Sequence, residues 1–196
     1  MSEFERGLRL ILERNETIGL TKEEMYNEIV SLRFSKEPNG LNTIDIYTDG
    51  SSLKNPGPGG WGYVVLKGSI EIHCDSDGET CSTNNKMELT AAIKALEYIT
   101  STEMEGIQSV CIFVDSIYVK NGITSWIKNW KKNGWKTSQG KDVQNKELWV
   151  ALDGILTKTE TKYTITWKWV KAHNGNYFNE KADALARKAA ESFKLK

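Results

Sequence analysis

At Thr43 the apolar pattern changes its period, and that change limits what the chain can become. Upstream, Phe4, Leu8, Ile11 and Leu12 repeat at helical spacing, and Thr21 with Glu24 forms a capping box ahead of Met25, Ile29 and Leu32. Downstream, Ile44, Ile46 and Thr48 alternate with Thr43, Asp45 and Tyr47, the two-residue repeat of a strand, and the run closes on Asp49. Between the two patterns Ser35, Pro38, Asn39 and Gly40 collect as breakers, and Pro38 disfavours helix at the residue before it. The expected organisation is a helical extension with its linker over residues 1–40 and one domain over 41–196, long enough to bury a full core.

Within that domain, residues 50–60 read as a Gly/Pro loop, and 61–66 and 70–74 as strands joined at Lys67-Gly68-Ser69, so the first three strands form an antiparallel meander. Thr83 can cap a helix to about residue 99, with Met87, Ala91, Ala95 and Ile99 along one edge, and 110–114 is a short apolar strand running into Asp115. Helical segments over 116–130 and 145–156, a strand over 163–170 and a last helix from about 179 complete the chain. That last helix buries a stripe of Ala182, Leu185, Ala186, Ala189 and Phe193. Three antiparallel strands followed by two reached through helical crossovers make an α/β fold with a mixed five-stranded sheet flanked by helices.

Lys and Arg balance Asp and Glu at 26 each, so a polyanionic partner must be held by a local patch rather than by net charge. The three cysteines, Cys74, Cys81 and Cys111, lack metal-ligand spacing, and no apolar run is long enough to span a bilayer. Arg6, Arg9 and Arg14 are interspersed with Glu3, Glu5, Glu13 and Glu16, unlike an acid-poor transit peptide, so a reducing, cytoplasmic location is expected. Each N-terminal helix is too short to be stable alone and carries mixed charge. Residues 1–40 are therefore expected to dock on the domain, on a second copy or on a protein partner rather than on nucleic acid.

Hydrolysis of a phosphodiester with metal ions needs several carboxylates converging on one point. Mg²⁺ prefers octahedral oxygen ligation, and two ions about 4 Å apart can activate water and stabilise the leaving oxygen. Asp49 and Asp115 each end an apolar strand, Glu88 lies early in its helix, and Asp183 early in the last one. Taken singly, such acids are ordinary turn-formers or helix N-terminal residues, and spacing alone goes no further than a candidate metal site.

His173 stands in the loop just before the helix of Asp183, where an imidazole suits proton shuttling near neutral pH, whereas His73, on a strand without an acid or polar loop beside it, reads as structural. Between Asp115 and Asp142 there is no acid, yet Lys120, Lys128, Lys131, Lys132, Lys136 and Lys141 alternate with Trp126, Trp130 and Trp135. Ammonium groups displace counterions from a polyanion and indoles pack on sugar or base, so this stretch fits a phosphate backbone. The competing reading is a solvated helix whose tryptophans face the core.

The run Tyr47-Thr48-Asp49-Gly50-Ser51, followed by Asn55-Pro56-Gly57-Pro58-Gly59-Gly60-Trp61-Gly62, resembles the opening of the type 1 ribonuclease H family. Joining it in order are Thr83-Asn84-Asn85-Lys86-Met87-Glu88-Leu89, Asp115-Ser116, Trp130-Lys131-Lys132-Asn133-Gly134-Trp135-Lys136-Thr137, Trp167-Lys168-Trp169-Val170-Lys171-Ala172-His173, and Asn179-Glu180 with Asp183.

The resemblance implies the ribonuclease H-like fold and an endonuclease that cuts the RNA strand of RNA/DNA hybrids, leaving 5′-phosphate and 3′-hydroxyl ends. Asp49, Glu88, Asp115 and Asp183 fall on the family's ligands for two Mg²⁺ ions, replaceable by Mn²⁺, and His173 on its catalytic-loop histidine. It further implies minor-groove contacts from Asn55, Asn84 and Asn85, and a DNA phosphate pocket at Thr83 and Asn145. Trp126, Lys128, Lys131, Lys132, Trp135 and Lys136 fall on a basic protrusion that holds the DNA strand. Ile117, Ala172 and Cys81 depart from common family residues at substrate-side positions, which bears on affinity rather than chemistry. Two rivals remain: a catalytically inactive hybrid-binding module of the same fold, and a DNA strand transferase built on the same sheet.

Overall fold

The alternation that starts at Thr43 becomes β1, Thr43–Ser52, in a computed structural model that describes residues 42–68 and 70–194 together with Gly19, Thr21, Glu24 and Met25. At the N-terminal side the capping box is formed: the Thr21 amide donates to Glu24 Oε2 at 2.8 Å, and the Glu24 amide to Thr21 Oγ1 at 3.2 Å. The rest of the expected helical extension and its linker lie outside the described residues.

β1 pairs antiparallel with β2, Gly57–Lys67, which pairs antiparallel with β3, Ile70–Ser82. On its other side β1 runs parallel to β4, Ser109–Val114, and β4 parallel to β5, Thr164–Trp169. The sheet order is β3-β2-β1-β4-β5, the mixed five-stranded arrangement read from the pattern. β2 starts earlier and β3 ends later than the apolar alternation indicates. β3 is an edge strand whose second half is polar and largely exposed, so its pairing (Gly60 with Gly78, Gly57 with Ser82) rests on backbone hydrogen bonds, which leave no mark in side-chain periodicity.

Each face of the sheet is covered by helices with small or apolar contact residues. On one face α1, Asn84–Ser101, capped by Thr83, buries Met87, Leu89, Ala92, Leu96 and Ile99 against Ile44, Ile46, Val110 and Ile112. On the other lies the C-terminal helix, Tyr177–Phe193, with Phe178 and Ala182 against Tyr47, Val64 and Leu66. Its approach is close because both partners are small: a Cβ on Gly60 would stand 2.2 Å from Ala186 O.

The helical stretch after Asp115 is not one rod. It divides into α2, Ile117–Asn121, a π-helical turn over Gly122–Trp126, and α3, Ile127–Lys132. The buried Trp149 of α4, Lys146–Glu160, lies so close to Gly122 that a Cβ there would meet the indole at 2.0 Å, and the widened turn sits at that crossing. The C-terminal helix, α5 in this order, begins at Tyr177, capped by Asn176 Oδ1 accepting from the Asn179 amide at 3.2 Å. No helix among the described residues is long and apolar enough to cross a membrane.

His73 lies on β3, facing two aromatic side chains. Its ring stacks on Tyr98 with centroids 3.9 Å apart, and Nε2 lies 3.3 Å from the Tyr63 hydroxyl.

Candidate active site

The parallel register sets Thr48 opposite Val114, so Asp49 and Asp115, the next residues on each chain, emerge side by side at the same edge of the sheet. Glu88 reaches this point from α1 because the helix backbone touches β1. A Cβ on Gly50 would lie 2.1 Å from the Glu88 nitrogen, so only glycine lets the helix approach this near. Asp49 and Glu88 are each 6% exposed, and with Asp115 they offer oxygens that all lie within 4.8 Å of one another. Asp183, from the second turn of α5, completes the group; its Oδ2 is 3.8 Å from Nδ1 of His173. A cleft of about 350 Å³ is lined by all four acids, His173, Asn84, Asn85 and Ser116.

The electrostatics of this cleft are strained. Burial first, then the neighbouring carboxylates of Asp115 and Asp183, pushes Asp49 up to about 8, with the Gly50 amide pulling the other way. Glu88 is raised well above the ordinary carboxylate range for the same reasons, burial ahead of Asp49 and Asp115. Its Oε2 is buried with no hydrogen-bond partner among the described residues. Two buried acids beside two further carboxylates, with no lysine or arginine among the described residues lining the cleft, are the arrangement a hard cation relieves, and an all-carboxylate donor set suits such a cation rather than a soft one.

The remaining expected site residues fall into two groups. Beside the cleft, Asn84 Oδ1 accepts from the Ser52 amide at 2.9 Å, Asn55 Oδ1 from the Asn84 amide at 3.4 Å, and Thr83 Oγ1 from the Lys86 amide at 3.4 Å. Asn145 precedes α4 in the left-handed region, φ 56°, with Nδ2 3.4 Å from the Tyr118 hydroxyl.

Away from the cleft, the lysine and tryptophan stretch runs from Lys120 in α2 through Trp126 in the π-helical turn to α3 and the loop after it. The structure divides its tryptophans: Trp126 is 37% exposed, whereas Trp130 and Trp135 pack on the core, Trp130 edge-on to Trp149 at 5.3 Å. It divides its lysines as well. Lys131 is paired with Asp153 and Lys136 with Asp142, each at 2.6 Å, while Lys120, Lys128, Lys132 and Lys141 make no ion pair among the described residues.

Two residues beside the acids received no role from the sequence. Asn179 Nδ2 donates to Asp115 Oδ2 at 3.1 Å, and Trp169 Nε1 donates to Asp115 O at 2.9 Å. For Asn179 the available signal is its place one helical turn before Asp183, on the same face of α5.

The family model for RNase H matches residues 42–191. The chain belongs to the RNase H family. It is 51% identical over 148 residues to the ribonuclease H of Neorickettsia sennetsu, covering 76% of this chain and 93% of that one. A similar solved structure is LC9-RNase H1, a type 1 RNase H with the type 2 active-site motif. It is 28% identical, with a TM-score of 0.63 and 78% of this chain and 74% of that chain covered. LC11-RNase H1, solved in complex with an RNA/DNA hybrid, shares the RNase H fold at a TM-score of 0.57 and 24% identity, covering 76% of this chain and 97% of its own.

Proposed function

We propose that this RNase H hydrolyses the RNA strand of RNA/DNA hybrids endonucleolytically, leaving 5′-phosphate and 3′-hydroxyl ends, with Asp49, Glu88, Asp115 and Asp183 as the ligands of two Mg²⁺ ions that Mn²⁺ can replace. The observation that carries it is the convergence of these acids in one cleft, two of them buried and raised by their neighbours. When bound, the ions supply an activated water and charge to stabilise the leaving oxygen.

The chain's own residues position the substrate and move protons. Asn55 and Asn84 have their Oδ1 atoms engaged by backbone amides, so what they present outward is their NH₂ groups. Donors suit the acceptors of a minor groove and the 2′-hydroxyl that distinguishes RNA from DNA, and Asn85 extends that row. Thr83 uses a lone pair to cap α1, which leaves its hydroxyl proton for a DNA phosphate, with Asn145 as second donor. Trp126 with Lys128 and Lys132 forms the exposed surface for the DNA strand, supported by Trp135, Lys131 and Lys136.

His173 lies in an exposed loop with Nδ1 toward Asp183, which leaves Nε2 to exchange a proton with the cleft. His173→Ala slows turnover by about a hundredfold without abolishing it. Unchanged turnover with an unchanged pH–rate profile would return His173 to an ordinary loop residue. For the basic surface, Lys132→Ala raises KM more than it lowers kcat and reduces the log–log salt slope by about one. Lys131→Ala changes the slope less, since its ion pair with Asp153 must first be given up. KM measured against salt separates the two; an unaltered KM and slope in Lys132→Ala would refute the role.

Residues 41–196 are the catalytic domain in this reading and residues 1–40 an appended extension that meets a protein partner or a second copy. The family match beginning at residue 42 supports the division. A reducing, cytoplasmic location is supported by three free cysteines.

The deciding experiment incubates the protein with labelled RNA/DNA hybrid, with single-stranded RNA, double-stranded RNA and DNA duplex as controls, in Mg²⁺ and in chelator. Cleavage confined to hybrid RNA in Mg²⁺ is expected. Binding without cleavage in Mg²⁺ or Mn²⁺ would mean an inactive module, and joining of DNA ends a strand transferase. The same assay on a chain beginning at Leu41 tests the division of domains.

A further inference from the structure

Asn179 is 2% exposed, and its side chain is half satisfied: Nδ2 donates to Asp115 Oδ2, while Oδ1 is buried with no partner among the described residues. Turning the amide over would set Oδ1 against the Asp115 carboxylate and orphan the NH₂ group, so the donor orientation is the one the surroundings allow. A buried orphan oxygen is destabilising, and an apolar side chain of the same shape would avoid it. The helix does not need this side chain for its cap either, because it is the Asn179 backbone amide that meets Asn176 Oδ1. What the Asn179 side chain supplies is a fixed donor to one oxygen of Asp115. The Trp169 indole holds the backbone oxygen of the same residue from β5.

We propose that Asn179 is a positioning residue for the cation site: by holding Asp115 Oδ2 it fixes the orientation of the carboxylate that stands with Asp49 and Glu88. This rests on the reading of the four acids as metal ligands. A carboxylate free to rotate presents either oxygen and loses rotamer freedom when a cation binds; one already held loses none. The hydrogen bond also restrains α5 relative to β4, so Asp183, one turn further along the helix, keeps its place in the same cleft.

The test uses Asn179→Leu, close in shape, and Asn179→Ala, smaller, both in the full chain. Mn²⁺ affinity is measured by isothermal titration calorimetry without nucleic acid, and thermal stability in chelator. The positioning role predicts Mn²⁺ binding weakened by about tenfold or more in both variants. Asn179→Leu should melt in chelator no lower than the parent, and its hybrid KM should stay unchanged while the Mg²⁺ concentration for half-maximal activity rises in parallel with the Mn²⁺ dissociation constant. Mn²⁺ affinity equal to the parent in either folded variant would overturn the inference. So would a melting point in chelator that falls in Asn179→Leu as far as in Asn179→Ala, since that marks a merely structural role. If the parent itself binds no Mn²⁺, the metal reading of the acids fails first. Parental binding that survives the substitutions fails Asn179 alone.

Discussion

Asp115→Asn leaves the protein folded and bound to hybrid while cleavage in Mg²⁺ falls to the level seen in chelator. An amide at this position keeps the contacts that hold the residue: its oxygen still accepts from Asn179 Nδ2, and its backbone oxygen from Trp169 Nε1. What it loses is the charge and the second anionic oxygen in a group whose ligand atoms lie within 4.8 Å of one another. A hard divalent cation depends on both. Binding survives because Asn55, Asn84 and the basic surface of α3 are untouched. Gel-shift binding in Ca²⁺ beside a single-turnover assay in Mg²⁺ measures the two separately; near-parental cleavage would remove Asp115 from the site.

In chelator, the stability of the protein falls as pH rises, and Asp49→Asn reverses much of that loss. Asp49 stands at about 8 in the folded chain against about 3.9 in an unfolded one. Its folded pKa is therefore raised, and the folded state holds the proton more tightly. That contribution is fully present below about pH 4 and is lost as pH rises through about 8, at about 1.4 kcal/mol per pH unit for this group. Glu88 is raised as well and adds to the same slope. With asparagine at position 49 the first slope disappears and Glu88 loses its strongest repelling neighbour, so the variant is the more stable protein at about pH 8 and differs little at about pH 4. Mg²⁺ favours the ionised acids and narrows the difference. Urea melts of both proteins across that range, with and without Mg²⁺, decide it. Parental stability in chelator that is flat or rising with pH would contradict the raised values.

The strands that carry Asp49 and Asp115 were legible because both are half or fully buried. Burial imposes alternation on one and a short apolar run on the other, and each run ends at an acid that the sheet edge gathers into the cleft. The polar half of β3 was not legible, since an edge strand held by backbone hydrogen bonds has no apolar period to show. The break after Asn121 was hidden for a different reason: it comes from Trp149, a residue of another helix, lying against Gly122. Along the chain the basic stretch is a run without acids, yet Asp153, 22 residues beyond Lys131, neutralises it, and the core claims two of the three tryptophans between the lysines.

From the sequence by itself came the residues able to do the chemistry, the order of the elements that carry them and the family resemblance. Each depends on local spacing, side-chain type or motif order, all of which are written along the chain. Tertiary structure alone decided how near the acids stand and what holds them. Glu88 meets Asp49 because Gly50 admits the backbone of α1, and Asn179 meets Asp115 because α5 packs closely on Gly60. The raised carboxyls follow from that packing, since desolvation and repulsion depend on distance through space, to which separation along the chain is no guide.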